Sequence, residues 1–66
     1  MVVNRKFNSD YVSTWEIYGK STETKPTMAN GVIEENIPHM SVFVEMDTGD
    51  GFYYDKDLDA WTEIGG

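Results

Sequence analysis

The sequence predicts an all-β fold, a small antiparallel meander of about four strands at roughly residues 11–18, 41–47, 51–55 and 60–64, with residues 20–40 as a long wrapping loop. Three observations carry this expectation. β-branched and aromatic residues gather in short runs, the composition of a pleated, half-buried strand. Gly, Asp, Asn and Pro separate those runs, and each favours a turn for its own backbone reason. The chain has 66 residues and no cysteine, so it builds one small core that disulfides do not reinforce.

Residues 1–10 begin with an apolar pair and then turn polar, which predicts a loose N-terminal arm or a short edge strand outside a single domain of residues 11–66. Residues 11–19, YVSTWEIYG, alternate Tyr11, Ser13, Trp15 and Ile17 against Val12, Thr14, Glu16 and Tyr18, a strand that Gly19 ends. Pro26, Asn30, Gly31 and Pro38 break up residues 20–40. That connection is long for so small a domain. It is expected to wrap the sheet, with Met28, Val32, Ile33 and Ile37 as apolar anchors.

The last third contains two hairpins. A three-residue loop over residues 47–49 places Gly49 where a positive φ is needed. Its register sets Val44 opposite Phe52, Val42 opposite Tyr54 and Phe43 opposite Tyr53. A second loop over residues 56–58 aligns Tyr53 with Trp61 and Tyr54 with Ala60, and it also sets Asp55 against Asp59, an unfavourable like-charge pair. That conflict calls for a wider loop or a cation. In this register Phe43, Tyr53 and Trp61 form a row on one face, opposite an aliphatic face. A meander with two apolar faces needs something over the second one. Trp15, Phe43, Tyr53 and Trp61 are therefore the expected interaction surface.

Charge narrows the ligand classes. Residues 1–25 carry Arg5, Lys6, Lys20 and Lys25 against Asp10, Glu16 and Glu23, a balance of +1; residues 26–66 carry Lys56 against nine acids, a balance of −8, and the whole chain is −7. Such a field repels phosphate backbones, so no nucleic-acid partner is expected. A weaker reading lets the acidic part mimic DNA as an inhibitor. No run reaches the roughly 20 apolar residues of a membrane helix, and the N-terminus lacks a signal-peptide core. Neither a membrane partner nor a transmembrane segment is expected, and the location implied is a virion or the host cytoplasm.

The chemical motifs have simple structural readings. Asp55, Asp57 and Asp59 alternate as in a calcium loop. Ala60 and Gly66 stand where such a loop has glycine and glutamate, which leaves a weak calcium candidate and an acidic hairpin loop as the default. Asp47, Thr48 and Gly49 spell an aspartic protease triplet, yet turn chemistry explains the same letters. His39 has no nucleophile arranged beside it. No catalytic residue, metal or cofactor is expected. Aromatic side chains at Trp15, Tyr18, Tyr53, Tyr54 and Trp61 admit a sugar-binding platform, although aromatics in a domain this size more often form its core.

The stretch from Phe43 through Glu45 to Asp47, Thr48 and Gly49, followed by Tyr53, Tyr54, Asp55 and Trp61, resembles small proteins encoded in structural-gene regions of bacteriophages and prophages of Firmicutes. The upstream Ser21, Thr22, Lys25 and Pro26 share in the likeness, which covers about residues 11–64 and departs from the pattern at Gly51. The resemblance implies a non-enzymatic structural or assembly module, virion-associated or accessory, that binds a protein partner or its own copies. The alternative is a carbohydrate-binding module that takes a glycan on an aromatic platform.

Overall fold

The computed structural model describes residues 1–7 and 13–65, the side chains of residues 5–7 and 13 excepted. Five strands, β1 (Val2–Phe7), β2 (Ser13–Gly19), β3 (Val42–Glu45), β4 (Gly51–Asp55) and β5 (Ala60–Glu63), lie side by side in that order in one sheet. The fold is all-β, with no helix among the described residues.

The expected four-strand antiparallel meander is corrected in two respects. The arm foreseen over residues 1–10 contributes an edge strand, since β1 pairs antiparallel with β2 from Val2↔Tyr18 to Phe7↔Ser13. The second change is that β2 and β3 run parallel, with Glu16↔Val42 through Gly19↔Glu45 in register. Parallel neighbours need a crossover long enough to return to the starting end of the sheet. Residues 20–41 are that crossover, so their length is topological. Tyr11 and Val12, expected to begin the strand over residues 11–18, lie outside the described residues.

Both hairpins close one residue wider than the simplest turns. β3 and β4 pair Val42↔Tyr53, Phe43↔Phe52 and Val44↔Gly51. The Glu45 amide donates to the Asp50 carbonyl at 2.8 Å and the Gly49 amide to the Glu45 carbonyl at 2.8 Å, which leaves residues 46–49 as the loop. β4 and β5 pair Tyr54↔Trp61 and Asp55↔Ala60 across residues 56–59. Each loop ends in a left-handed residue, Gly49 at φ 81° and Asp59 at φ 51°. Glycine takes that conformation without strain, and aspartate is among the few other residues that tolerate it. The wider second loop also removes Asp59 from its expected place opposite Asp55.

A one-residue register change exchanges the faces of a strand. Phe52 and Tyr54 therefore join Phe43 on one side, and Tyr53 goes to the other. Trp15, Ile17, Phe43 and Tyr54 are buried there together with Ile37 from the crossover, with Val3, Ile33, Phe52 and Trp61 packed around them. Phe43 and Trp61 meet edge to face at 5.9 Å between centroids, and Tyr54 lies 5.2 Å from Trp61. The expected cross-strand row of Phe43, Tyr53 and Trp61 does not form, because Phe43 pairs with Phe52 and Tyr54 with Trp61; instead Phe43 and Tyr54 meet at Trp61 in the core.

Candidate interaction surface

The crossover seals the first face of the sheet. Of its four expected anchors, Ile37 is buried and Ile33 packs on the core, whereas Met28 and Val32 stay exposed. Pro26 is the further anchor, fully buried, and its carbonyl accepts the Trp61 indole N–H at 2.7 Å. β2 comes so close to its neighbours that a Cβ built on Gly19 would lie 2.8 Å from Phe43 Cζ.

Carboxylates fasten the crossover to the hairpins. Lys25 Nζ donates to Glu45 Oε2 at 2.7 Å and stands 4.2 Å from the Phe52 ring centroid and 5.1 Å from that of Phe43. The Lys25 bond, helped by the Thr48 hydroxyl at 2.8 Å, holds the Glu45 carboxyl below its ordinary range. Asp47 accepts the Ser21 amide at 2.9 Å and the Ser21 hydroxyl at 2.6 Å, which lowers its pKa as well. Asp59 accepts the Met28 amide at 2.7 Å, the Ala29 amide at 2.9 Å and the Tyr54 hydroxyl. The Tyr54 bond first, and the Met28 amide next, keep Asp59 ionised to lower pH. Burial, reinforced by the neighbouring carboxylate, pushes Tyr54 up to about 12.

These bonds give the motif residues structural roles. The Asp47, Thr48 and Gly49 triplet is a loop whose aspartate holds Ser21. His39 Nδ1 accepts the Lys56 amide at 3.1 Å. Asp55 accepts the amides of Asp57 at 3.0 Å and Leu58 at 3.3 Å, closing its own turn, while Asp59 turns away to the crossover. Asp55, Asp57 and Asp59 therefore do not converge, and no group of three or more His, Cys, Asp or Glu among the described residues is placed to hold a metal. Ser21, Lys25 and Pro26 touch Asp47, Glu45 and Trp61, so the start of the crossover is bound to the last third of the chain.

The second face of the sheet has a different character. The strand pairings set Val2, Tyr18, Val44 and Gly51 in one row across the sheet, and Asn4, Glu16, Val42, Tyr53 and Thr62 in the next. Ile64 extends the first row: its amide donates to the Gly51 carbonyl at 2.8 Å, and its Cδ1 lies 3.8 Å from a Cβ built on Gly51. The buried hydrophobic core lies entirely on the first face, whereas every described side chain of these two rows keeps contact with solvent. Aliphatic and aromatic groups thus remain partly exposed on this face.

The four residues expected to form the interaction surface are separated. Trp15, 6% exposed, and Phe43, fully buried, belong to the core; Trp61 closes its edge; Tyr53 alone lies on the open face. Sequence reasoning missed Val2, Val42, Val44 and Ile64 as its companions. The signals were the opposite parity of Tyr18 to Trp15 within β2 and the unusual glycine at residue 51. Comparison with family models, with curated proteins and with solved structures finds no match to the chain.

Proposed function

We propose that the protein is a non-enzymatic assembly module that docks through the open face of its sheet, as a virion-associated or accessory protein of the phage or prophage kind its motifs resemble. The observation that supports this most is the contrast between the two faces. One is sealed by a crossover fastened with three carboxylates, and the other leaves Tyr18, Val42, Val44, Tyr53 and Ile64 at least partly exposed. A sheet face that leaves aliphatic and aromatic side chains partly exposed is the kind of patch that marks a protein contact. No helix among the described residues is long and apolar enough to cross a membrane, and the proposed locations are the virion and the host cytoplasm.

The test is quantitative mass spectrometry of purified particles from cells carrying the gene, with Tyr53→Lys and Val44→Lys variants expressed in its place. The expected result is the chain in particles and its loss when the open face is charged. Absence of the chain from particles overturns the virion reading, and unchanged incorporation of folded variants overturns the role of the face.

One observation favours a second reading, a glycan platform: Tyr18 and Tyr53 are both partly exposed on the same face. Titration with cell-wall and capsular polysaccharides, followed by NMR of the tyrosine ring resonances, should then shift both residues. Trp15 lies in the core, so its fluorescence is a poor reporter of such binding. Unshifted tyrosine resonances across the panel remove this reading.

A further inference from the structure

Asn30 lies in the crossover, and of the chain's four asparagines it alone is followed by glycine; Asn4 precedes Arg5, Asn8 precedes Ser9 and Asn36 precedes Ile37. Asparagine is thermolabile because its carboxamide loses ammonia when the next backbone nitrogen attacks Cγ. A glycine at that next position presents no side chain to hinder the approach. Gly31 stands at φ 67°, with no atom beyond its chain neighbours within 4 Å of an added Cβ, so nothing crowds the attacking residue. Asn30 is itself exposed, which admits the water that completes the conversion.

The folded chain uses the same carboxamide as a clasp. Asn30 Oδ1 accepts the Thr27 amide at 3.0 Å and the Val32 amide at 3.1 Å, and Asn30 Nδ2 donates to the Lys25 carbonyl at 2.9 Å. The Asn30 amide donates in return to Thr27 Oγ1 at 3.1 Å. One side chain thus ties residues 25, 27 and 32 together, the local backbone bonding that suits asparagine to turns. Attack at Cγ requires the carboxamide to turn its face to the Gly31 nitrogen and then release Nδ2. The bonds at both of its ends resist that motion.

We propose that Asn30 is a site of spontaneous deamidation that the closed crossover protects, and that its conversion loosens the crossover from the sheet. In the step, the Gly31 nitrogen bonds to Asn30 Cγ, the Cγ–Nδ2 bond breaks, and the proton from the Gly31 nitrogen leaves with Nδ2 as ammonia. Water then opens the cyclic imide at either carbonyl, which gives aspartate or isoaspartate at residue 30. Either product sets an oxygen where a donor faced the Lys25 carbonyl, and adds a negative charge to a chain at −7. Isoaspartate also lengthens the backbone within the turn. Fasteners of the crossover surround the site: the Pro26 carbonyl accepts the Trp61 indole N–H at 2.7 Å, and the Met28 and Ala29 amides reach Asp59 at 2.7 and 2.9 Å. Opening the turn therefore acts on the attachment of the crossover to the second hairpin. Neither step involves the open face, so the site stands whether or not the chain is an assembly module.

Quantitative peptide mass spectrometry of the full chain, incubated at mildly alkaline pH in buffer and in unfolding urea, tests the proposal. Deamidation of the Asn30 peptide should be at least about tenfold slower in buffer, because the reaction there awaits local opening. Thr27→Val, which removes the acceptor of the Asn30 amide, should speed conversion several-fold in buffer and leave the rate in urea unchanged. Asn30→Asp keeps both contacts to Oδ1 and loses the bond to Lys25. It should stay folded by circular dichroism, melt at a lower temperature and speed hydrogen exchange of the Trp61 indole N–H. Equal rates in buffer and urea, or an Asn30 peptide that stays unconverted in urea, overturn the protected site. Asn30→Asp with unchanged melting temperature and unchanged Trp61 exchange overturns the loosening.

Discussion

Asp59 combines two requirements that usually fall on different residues. It adopts a left-handed φ of 51°, where glycine or asparagine is the easier choice, and its carboxylate holds the Met28 and Ala29 amides and the Tyr54 hydroxyl. Asp59→Asn keeps the tolerance for that φ and removes the charge. We expect it to lower the melting temperature and to weaken the acid dependence of stability, which thermal unfolding at pH 7 and at pH 3 will show. Met40 presents the reverse case. It is half-exposed at φ 67°, a conformation that strains a residue with a long side chain. Met40→Gly should therefore stabilise by about 0.5–1 kcal/mol, the strain relieved less the entropy glycine adds to the unfolded chain, as read by urea unfolding.

At the scale of elements, the crossover and the two hairpins depend on one another. The closeness of β2 to β3 makes Gly19→Ala an overpacking change, expected to cost about 1–3 kcal/mol as the Phe43 ring is displaced. Gly51→Ala, on the neighbouring strand β4, should be neutral or mildly stabilising, and urea unfolding of the two variants side by side measures the contrast. Phe43→Ala removes a fully buried ring that packs on Trp61. Its expected cost of about 3–5 kcal/mol is a large share of what a domain this small possesses, so circular dichroism should find it largely unfolded at 37 °C.

The whole molecule should show a plateau of stability bounded on both sides by titration. Glu45, Asp47 and Asp59 have folded pKa values below their ordinary 4.5, 3.8 and 3.8. A depressed carboxylate stabilises above its unfolded pKa, and the contribution is lost as pH falls through the folded value. Stability should thus decline below about pH 4.5. Tyr54 shifts the other way, from 10.0 to about 12, so the folded state keeps its proton longer than the unfolded chain does. That contribution is complete below pH 10.0 and is lost as pH rises toward 12. Melting temperatures measured from pH 2 to 12 should trace both limbs, and Tyr54→Phe should flatten the alkaline one.

The sequence by itself determined the all-β class, the existence of the two hairpins, the turn role of the Asp47, Thr48 and Gly49 triplet and the long loop that packs on the sheet. Those features follow from local chemistry: β-branched and aromatic runs, glycine at positive φ, and aspartate beside backbone amides. Only the tertiary structure decided which face each aromatic occupies. A loop one residue longer leaves the strands recognisable but exchanges Tyr53 for Tyr54 in the core, because side chains alternate with a period of two. The parallel pairing of β2 with β3 was equally hidden, since it joins segments on either side of the crossover and no local signal fixes strand direction. The expected surface of Trp15, Phe43, Tyr53 and Trp61 thus became mostly core, and the open face passed to Tyr53 together with residues of the opposite parity on the neighbouring strands.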